Sequence, residues 1–356
     1  MDVGPAMDLG TPLSQTVATT AAVSTATTVG TVSLETDESR SPGGPLISVI
    51  VPTRDRAQTL QATIDAVRRG TFDRFEMIIV DQSAGHETRD LVALVRDDRL
   101  RYLSNRREGY GAASSRNLGI AVSRAPLLAM TDDDTEPASD WLERIVTLFH
   151  EDDELEFIAG ALVAPPHDSA SGFVPSFDAE PGISMRELAL RAAGANLAAR
   201  ARLLYRIGGF DEYCGPGSRL RASDDGDLLL RVVASGCKVR VDPGVRVLHT
   251  NGFRPSGEAM ALHERYSFGN GGNYGRIARR GKGRLGLWFV GRELAKLVRG
   301  LMPGRDFTNE AGFVRLRLKG FIAGFTLDPA DGFVSGEALQ RMAEAVHNAS
   351  RESGRP

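Results

Sequence analysis

Apolar residues fall along the first third of the chain in short β-branched runs, separated by stretches with helical spacing. Ile47-Ser48-Val49-Ile50-Val51, closed by Pro52, reads as a buried strand. Leu60, Ile64 and Val67 then recur at three- and four-residue intervals, as on one face of a helix. Met77-Ile78-Ile79-Val80 is the next strand, with Asp81 at its end. A helix over residues 88–95, a strand at 100–103, a helix over 112–122 and a strand at 127–130 follow. Strands alternating with helices specify a parallel, doubly wound α/β sheet, whose ligands bind beyond the carboxyl ends of the strands. Thr53, Asp55, Asp81 and Asp132-Asp133-Asp134 all fall at such ends.

The second half is less regular. Residues 157–163 read as a strand, 167–182 as a long loop, and 196–207 as a helix stopped by Gly208-Gly209. A helix over 225–234 buries Leu228, Leu229, Val232 and Val233 and ends at Gly236. Residues 238–241 and 245–248 alternate polar and apolar, as half-buried strands do. The glycine-dense segment 265–274, flanked by His263, Arg265 and Arg276, reads either as a loop that closes over a diphosphate or as a linker. Residues 285–301 form a helix with Leu287, Val290, Leu294, Leu297 or Val298, and Leu301 on one face, and Arg292, Lys296 and Arg299 on another. Such a basic amphipathic helix suits an anionic membrane surface, or equally the flank of its own domain.

Composition narrows the class. The 356 residues are 42% hydrophobic and 25% charged, ordinary for a globular protein with a sizeable core. A net charge of −3 makes no case for nucleic acid. Residues 276–320 hold 12 Lys and Arg against 3 Asp and Glu, a net of +9 that leaves −12 for the remainder. That asymmetry turns the C-terminal region toward something anionic. Cys214 and Cys237 are too few for a disulfide framework and suggest a reducing, cytoplasmic setting. The first 45 residues are rich in Thr, Ala, Ser and Val and have no basic residue before Arg40. They read as a disordered extension rather than a secretory signal or transit peptide. No run approaches the roughly 20 apolar residues of a membrane-spanning helix.

Three adjacent carboxylates after an apolar strand repel one another unless water or a cation neutralises them, which makes residues 132–134 a candidate Mg²⁺ or Mn²⁺ site. With its neighbours this segment resembles the inverting, family-2 type nucleotide-sugar glycosyltransferases of GT-A fold. Val51-Pro52-Thr53-Arg54-Asp55-Arg56 resembles the opening strand and turn, and Val80-Asp81-Gln82-Ser83 the turn whose Asp contacts uracil. Residues 109–120, including Ser115-Arg116-Asn117-Leu118-Gly119-Ile120, resemble the segment beside the nucleotide. Asp132-Asp133-Asp134 fills the place of the metal-binding Asp-x-Asp, and Gly194-Ala195-Asn196 opens the acceptor-side segment. Asp224-Asp225 stands where the family usually has Glu-Asp.

The resemblance covers about residues 47–275 and implies a set of roles. Thr53, Asp55, Asp81, Arg116 and Asp132 would bind the donor, Asp134 the metal, and Asn196 and Asp224 the acceptor side. Asp225 would be the general base. His249, ending an alternating strand, would be a second metal ligand, its imidazole suiting Mn²⁺ better than Mg²⁺. The expected organisation is an extension (1–45), a GT-A domain (46–275, with a nucleotide-binding half at 46–136 and an acceptor-side half at 137–275), a basic helical extension (276–330) and a tail (331–356). The expected activity is metal-dependent, inverting transfer from a UDP-sugar to a glycan, lipid-linked or similar acceptor, as in polysaccharide biosynthesis, with peripheral membrane contact. The rivals are a nucleotidyltransferase and an inactive nucleotide- or glycan-binding domain. The former ordinarily has a Gly-rich basic loop where this chain has Pro52-Thr53-Arg54-Asp55.

Overall fold

In chain order the elements are β1 (Ile47–Thr53), α1 (Ala57–Arg68), β2 (Phe75–Asp81), α2 (Glu87–Val95), β3 (Leu100–Ser104), α3 (Gly111–Val122) and β4 (Leu127–Met130). There follow β5 (Glu136–Pro137), α4 (Trp141–Glu151), β6 (Leu155–Val163), β7 (Gly172–Phe173), α5 (Met185–Arg191), β8 (Leu197–Arg200), α6 (Ala201–Ile207) and α7 (Asp224–Ala234). The last are β9 (Lys238–Leu248), β10 (Arg254–Pro255), α8 (Ser256–Arg279), α9 (Gly283–Gly300), α10 (Phe307–Thr326) and α11 (Gly336–Ser353). This computed structural model describes residues 43–353 except 108–109, 181 and 301–306. The expected N-terminal extension lies outside the described residues up to residue 42, as do Gly109 and Leu301.

Eight strands make one mixed sheet in the order β3-β2-β1-β4-β8-β6-β9-β5. The first four are parallel, and both faces of β1 and β2 are buried, which is why they read as continuous apolar runs. Leu60, Ile64 and Val67 of α1 pack on this half as their spacing predicts. The register sets Thr53 beside Asp81 and Ile50 beside Met130, so the expected strand-end residues share one edge.

The structure differs from expectation in the second half. Residues 197–200 are not helical: β8 runs antiparallel between β4 and β6, and only 201–207 are helix. Alanine carries no strand signal, so only the neighbouring strands decide this assignment. The loop at 167–182 contains β7, which pairs with β10. The two strands expected near 240 are one, β9, with a register shift opposite Gly160. Within the expected tail (331–356), residues 336–353 form α11, which buries Leu339 in the core.

The largest correction concerns the glycine-dense segment. Residues 265–274 lie inside the 24-residue helix α8, so the domain boundary expected at residue 275 falls within a helix. Gly271 and Gly275 face α10, where any side chain would collide with the backbone of Arg317 and Phe321. Gly320 and Gly324 of α10 likewise meet the backbone of Phe268 and Gly272. Each glycine costs a helix about 0.5–1 kcal/mol relative to alanine, which is why the segment reads as a loop. Direct backbone packing of two helices offsets that cost.

Helix α9 also turns a different face inward. Gly286, Phe289 and Glu293 are buried, with Phe289 stacked between Tyr274 of α8 and Phe321 of α10. Glu293 is held by Arg292 (2.9 Å), Lys296 (3.1 Å) and Arg317 (2.6 Å), so two members of the expected basic face serve an internal ion cluster. Burial works against the Glu293 carboxylate, but these cations hold its pKa below the ordinary value. The expected apolar face instead leaves Leu287, Leu294 and Val298 at 77%, 51% and 65% exposure.

Candidate active site

The turn after β4 is built by threonines. Thr131 and Thr135 hydroxyls share a hydrogen bond (2.8 Å), Thr135 also donates to the Asp132 carbonyl (2.8 Å), and Thr63 donates to the Thr135 carbonyl (2.6 Å). This fixes three carboxylates in three directions. Asp133 turns inward, accepting from Thr53 Oγ1 (2.7 Å) and Arg56 Nη1 (3.2 Å). Burial pushes its pKa up to about 6 against those two partners. Asp134 meets Arg56 Nη1 (3.0 Å), His249 Nε2 (3.5 Å) and Arg254 Nη2 (3.7 Å). Asp132 is the most exposed of the three and accepts from Arg116 Nη2 (2.6 Å).

His249 lies on Gly252, where a side chain would strike the imidazole ring. Its Nδ1 is 2.9 Å from the Pro175 carbonyl, which can only accept, so Nδ1 carries a proton. Nε2 therefore faces the Asp134 carboxylate either with a second proton or with a lone pair that a shared cation would satisfy. Burial opposes the imidazolium, but Asp134 outweighs it and raises the His249 pKa above its ordinary value. Among the described residues no three His, Cys, Asp or Glu side chains converge into a ready cage for an ion. Asp134 and His249 fit instead a hard cation that takes one or two protein ligands and completes its shell with phosphate and water.

On the opposite wall, Arg116 reaches from α3 to two carboxylates, Asp132 at 2.6 Å and Asp224 at 2.5 Å. Asp224 is thus buried and paired. Asp225, the next residue, has no basic partner within ion-pair distance among the described residues, and accepts backbone N–H bonds from Gly194 (3.0 Å) and Gly226 (2.7 Å). Burial first, and Asp224 second, raise its pKa to about 6 against those N–H groups and Arg116. A carboxylate poised there can accept a proton at neutral pH.

These groups line one cavity of about 850 Å³, with Thr53, Arg116, Asp132, Asp134, Asp224, Asp225 and His249 all in its wall. Three other expected residues do not. Asp55 is exposed beside the cavity, in a left-handed turn (φ 54°) whose N–H donates to Ser83 Oγ at 2.7 Å. Asp81 is buried and accepts from Ser83 and from Tyr102 (3.0 Å), and its neighbour Gln82 lines the cavity instead. Asn196, expected on the acceptor side, is buried elsewhere. It accepts from Trp141 (2.9 Å) and donates to the Ala161 (2.7 Å) and Val245 (2.9 Å) carbonyls, so it ties α4, β6 and β9 together. Asp133, expected within the 132–134 cluster, lines the wall with it, whereas Arg56, Arg254 and Tyr266 were assigned no role there. Arg56 could have been inferred from its place one turn after β1; Tyr266 was hidden by the reading of α8 as a loop.

Part of the chain is similar to known glycosyltransferases. The Glycosyl transferase family 2 model matches residues 48–188. Validoxylamine A glucosyltransferase of Streptomyces hygroscopicus subsp. jinggangensis is 38% identical over 91 residues, 25% of this chain and 22% of that protein. Pre-mycofactocin glycosyltransferase of Mycobacterium tuberculosis is 26% identical over 228 residues, 59% of this chain and 44% of that one. The alignments span less than half the length of these curated relatives. Among solved structures, the mannosyltransferase PcManGT from Pyrobaculum calidifontis, in complex with GDP-Man and Mn²⁺, is 18% identical. It superposes with a TM-score of 0.50 over 88% of this chain and 77% of that one, a likeness of GT-A fold. Residues 48–188 thus match the model of glycosyl transferase family 2, on a fold like that of a solved GT-A structure.

Proposed function

We propose that this protein transfers a sugar from a UDP-sugar, with inversion, to a hydroxyl of a glycan, lipid-linked or similar acceptor, with Mn²⁺ or Mg²⁺ as cofactor. The observation that carries the reading is one cavity with an acidic strand-end turn on one wall and a carboxylate free of basic partners, Asp225, on the other. Asp134 and His249 would hold the cation, which when bound neutralises the charge developing on the diphosphate. Asp132, fixed by Arg116, would meet the ribose, and Gln82, the member of the 81–83 turn that lines the cavity, would meet the base. Asp225 would take the acceptor's hydroxyl proton as its oxygen bonds to the anomeric carbon. As that bond forms, the anomeric carbon's bond to the diphosphate breaks on the opposite face and its electron pair leaves with UDP.

A panel of UDP- and GDP-sugars tests this directly. We expect slow hydrolysis of at least one UDP-sugar in Mn²⁺, stopped by EDTA and restored by added metal. Binding of UDP with no turnover of any sugar on the panel would favour the inactive binding domain.

We also propose peripheral contact between α9 and an anionic membrane, in a cytoplasmic setting. Among the described residues no helix is long and apolar enough to cross a membrane. What supports contact is the exposed Leu287, Leu294 and Val298 on a helix whose single acidic residue, Glu293, is buried and neutralised, while Arg284 and Arg299 are exposed. Each exposed cation near an anionic surface contributes about 1 kcal/mol. Full-length protein should sediment with vesicles containing anionic lipid and not with neutral ones. Leu287→Ser with Leu294→Ser should abolish sedimentation while UDP-sugar hydrolysis continues; sedimentation unchanged by that pair would sink the assignment of α9.

A further inference from the structure

The turn that carries Asp225 is held in place by α8. Arg221 and Ser223, just before α7, have φ of 70° and 69°, a left-handed conformation that residues with a Cβ adopt rarely and at a cost. A serine at a helix N-cap ordinarily turns its hydroxyl back onto the free N–H groups of the first turn. Ser223 does not. Its Oγ donates to Asn270 Oδ1 at 2.7 Å, and its carbonyl accepts from Asn273 Nδ2 at 2.6 Å. Asn273 Oδ1 in turn accepts from the buried Cys214 thiol at 3.1 Å. Asn273 therefore has its amide orientation fixed, because the Ser223 carbonyl can only accept.

Helix α8 comes close enough for this only because residue 269 is glycine: a Cβ there would lie 2.7 Å from the Ala222 carbonyl oxygen. Asparagine is a weak helix former, and two of them three residues apart present their amides on one helix face. Their place is explained by the turn they grip. The far side of α8 is seated against α10 through Gly271 and Gly275. A line of direct contacts thus runs from α10 through α8 to Ser223 and on to Asp225.

We propose that Asn270 and Asn273 are positioning residues for Asp225, holding Ser223 in the left-handed conformation that aims the carboxylate into the cavity. The C-terminal helices are then part of the transferring unit. This rests on Asp225 as the base, and the test separates the two.

Turnover of the hydrolysed UDP-sugar is measured for the full chain. Asn273→Ala should lower kcat about 10- to 10²-fold, the scale of a misplaced reacting group, with the donor KM within about twofold of the parent. Ser223→Gly added to Asn273→Ala should recover most of the loss, because glycine adopts a φ near 69° without steric cost and needs no outside hold. Asp225→Asn is run in parallel. If Asp225→Asn turns over at the parent rate, the base assignment and this proposal fall together. If Asp225→Asn is inactive while Asn273→Ala keeps the parent kcat, the positioning role alone is overturned. A loss that Ser223→Gly does not relieve also overturns it, since general loosening of α8 would not depend on the conformation of residue 223. Should Asn273→Ala fail to fold, Asn270→Ala carries the same expectations.

Discussion

Asp225→Asn should lower sugar transfer by at least about 10²-fold, the usual scale for loss of a general base, while UDP affinity stays near that of the parent. The expectation follows from the contrast between two adjacent carboxylates. Asp224 is held in a buried ion pair with Arg116 at 2.5 Å. Among the described residues Asp225 faces the cavity with only backbone N–H partners, and burial with the Asp224 charge lifts its pKa to about 6. Transfer by the parent should therefore fall as pH drops through about 6, where the base becomes protonated. The same shift predicts a stability effect of opposite sense. A carboxyl whose pKa is raised by folding favours the native state below its unfolded pKa, and that contribution is lost as pH rises through about 6. At pH 8 the asparagine variant should thus melt above the parent, although it is inactive. An Asp225→Asn variant that transfers at the parent rate would reduce Asp225 to a helix-end charge.

Binding of UDP should depend on Asp134 and a divalent ion to a comparable degree. Asp134 is buried among His249, Arg56 and Arg254, and these cations hold its pKa below the ordinary value although burial pushes the other way. It is thus ionised at neutral pH and ready to meet a metal without losing a proton. His249 Nε2, 3.5 Å away, is the one other described group that faces it with a ligand's chemistry. Two protein ligands hold Mg²⁺ or Mn²⁺ weakly until a diphosphate completes the shell, so metal and nucleotide should each strengthen the other's binding. Calorimetry with UDP should show binding in Mn²⁺ that falls sharply with EDTA or with Asp134→Ala. His249→Ala should weaken it less. Equal UDP affinity in all these conditions would end the metal assignment.

The strand-end wall of this cavity was legible in the sequence because parallel core strands announce themselves. A run such as Ile47–Thr53 is buried on both faces, and once β1, β2 and β4 are placed, the residues that follow them must share an edge. Thr53 and the 132–134 turn needed nothing further, and the charged pair Asp224-Asp225 was readable as the start of a helix. Asp55 and Asp81 were placed at the right edge but not in the wall, because strand position does not say which way a turn aims its side chains. Asn196 failed for another reason. A polar residue beside glycines is readable as a ligand or as a brace, and only the Trp141, Ala161 and Val245 partners decide between them.

The rest was decided in three dimensions. Local propensity breaks a helix at Gly269, Gly271, Gly272 and Gly275, yet α8 is continuous because α10 offers backbone surface that only glycines can meet. Apolar periodicity marks the outer face of α9 as its packing face, whereas Glu293 is buried because three cations from two helices converge on it. The sequence by itself determined the parallel sheet and the edge at which carboxylates gather, since burial on both faces of a strand demands an uninterrupted apolar run. The tertiary structure alone decided which helix grips Ser223 and which carboxylate stays free, since both depend on groups far apart in the chain that no local pattern brings together.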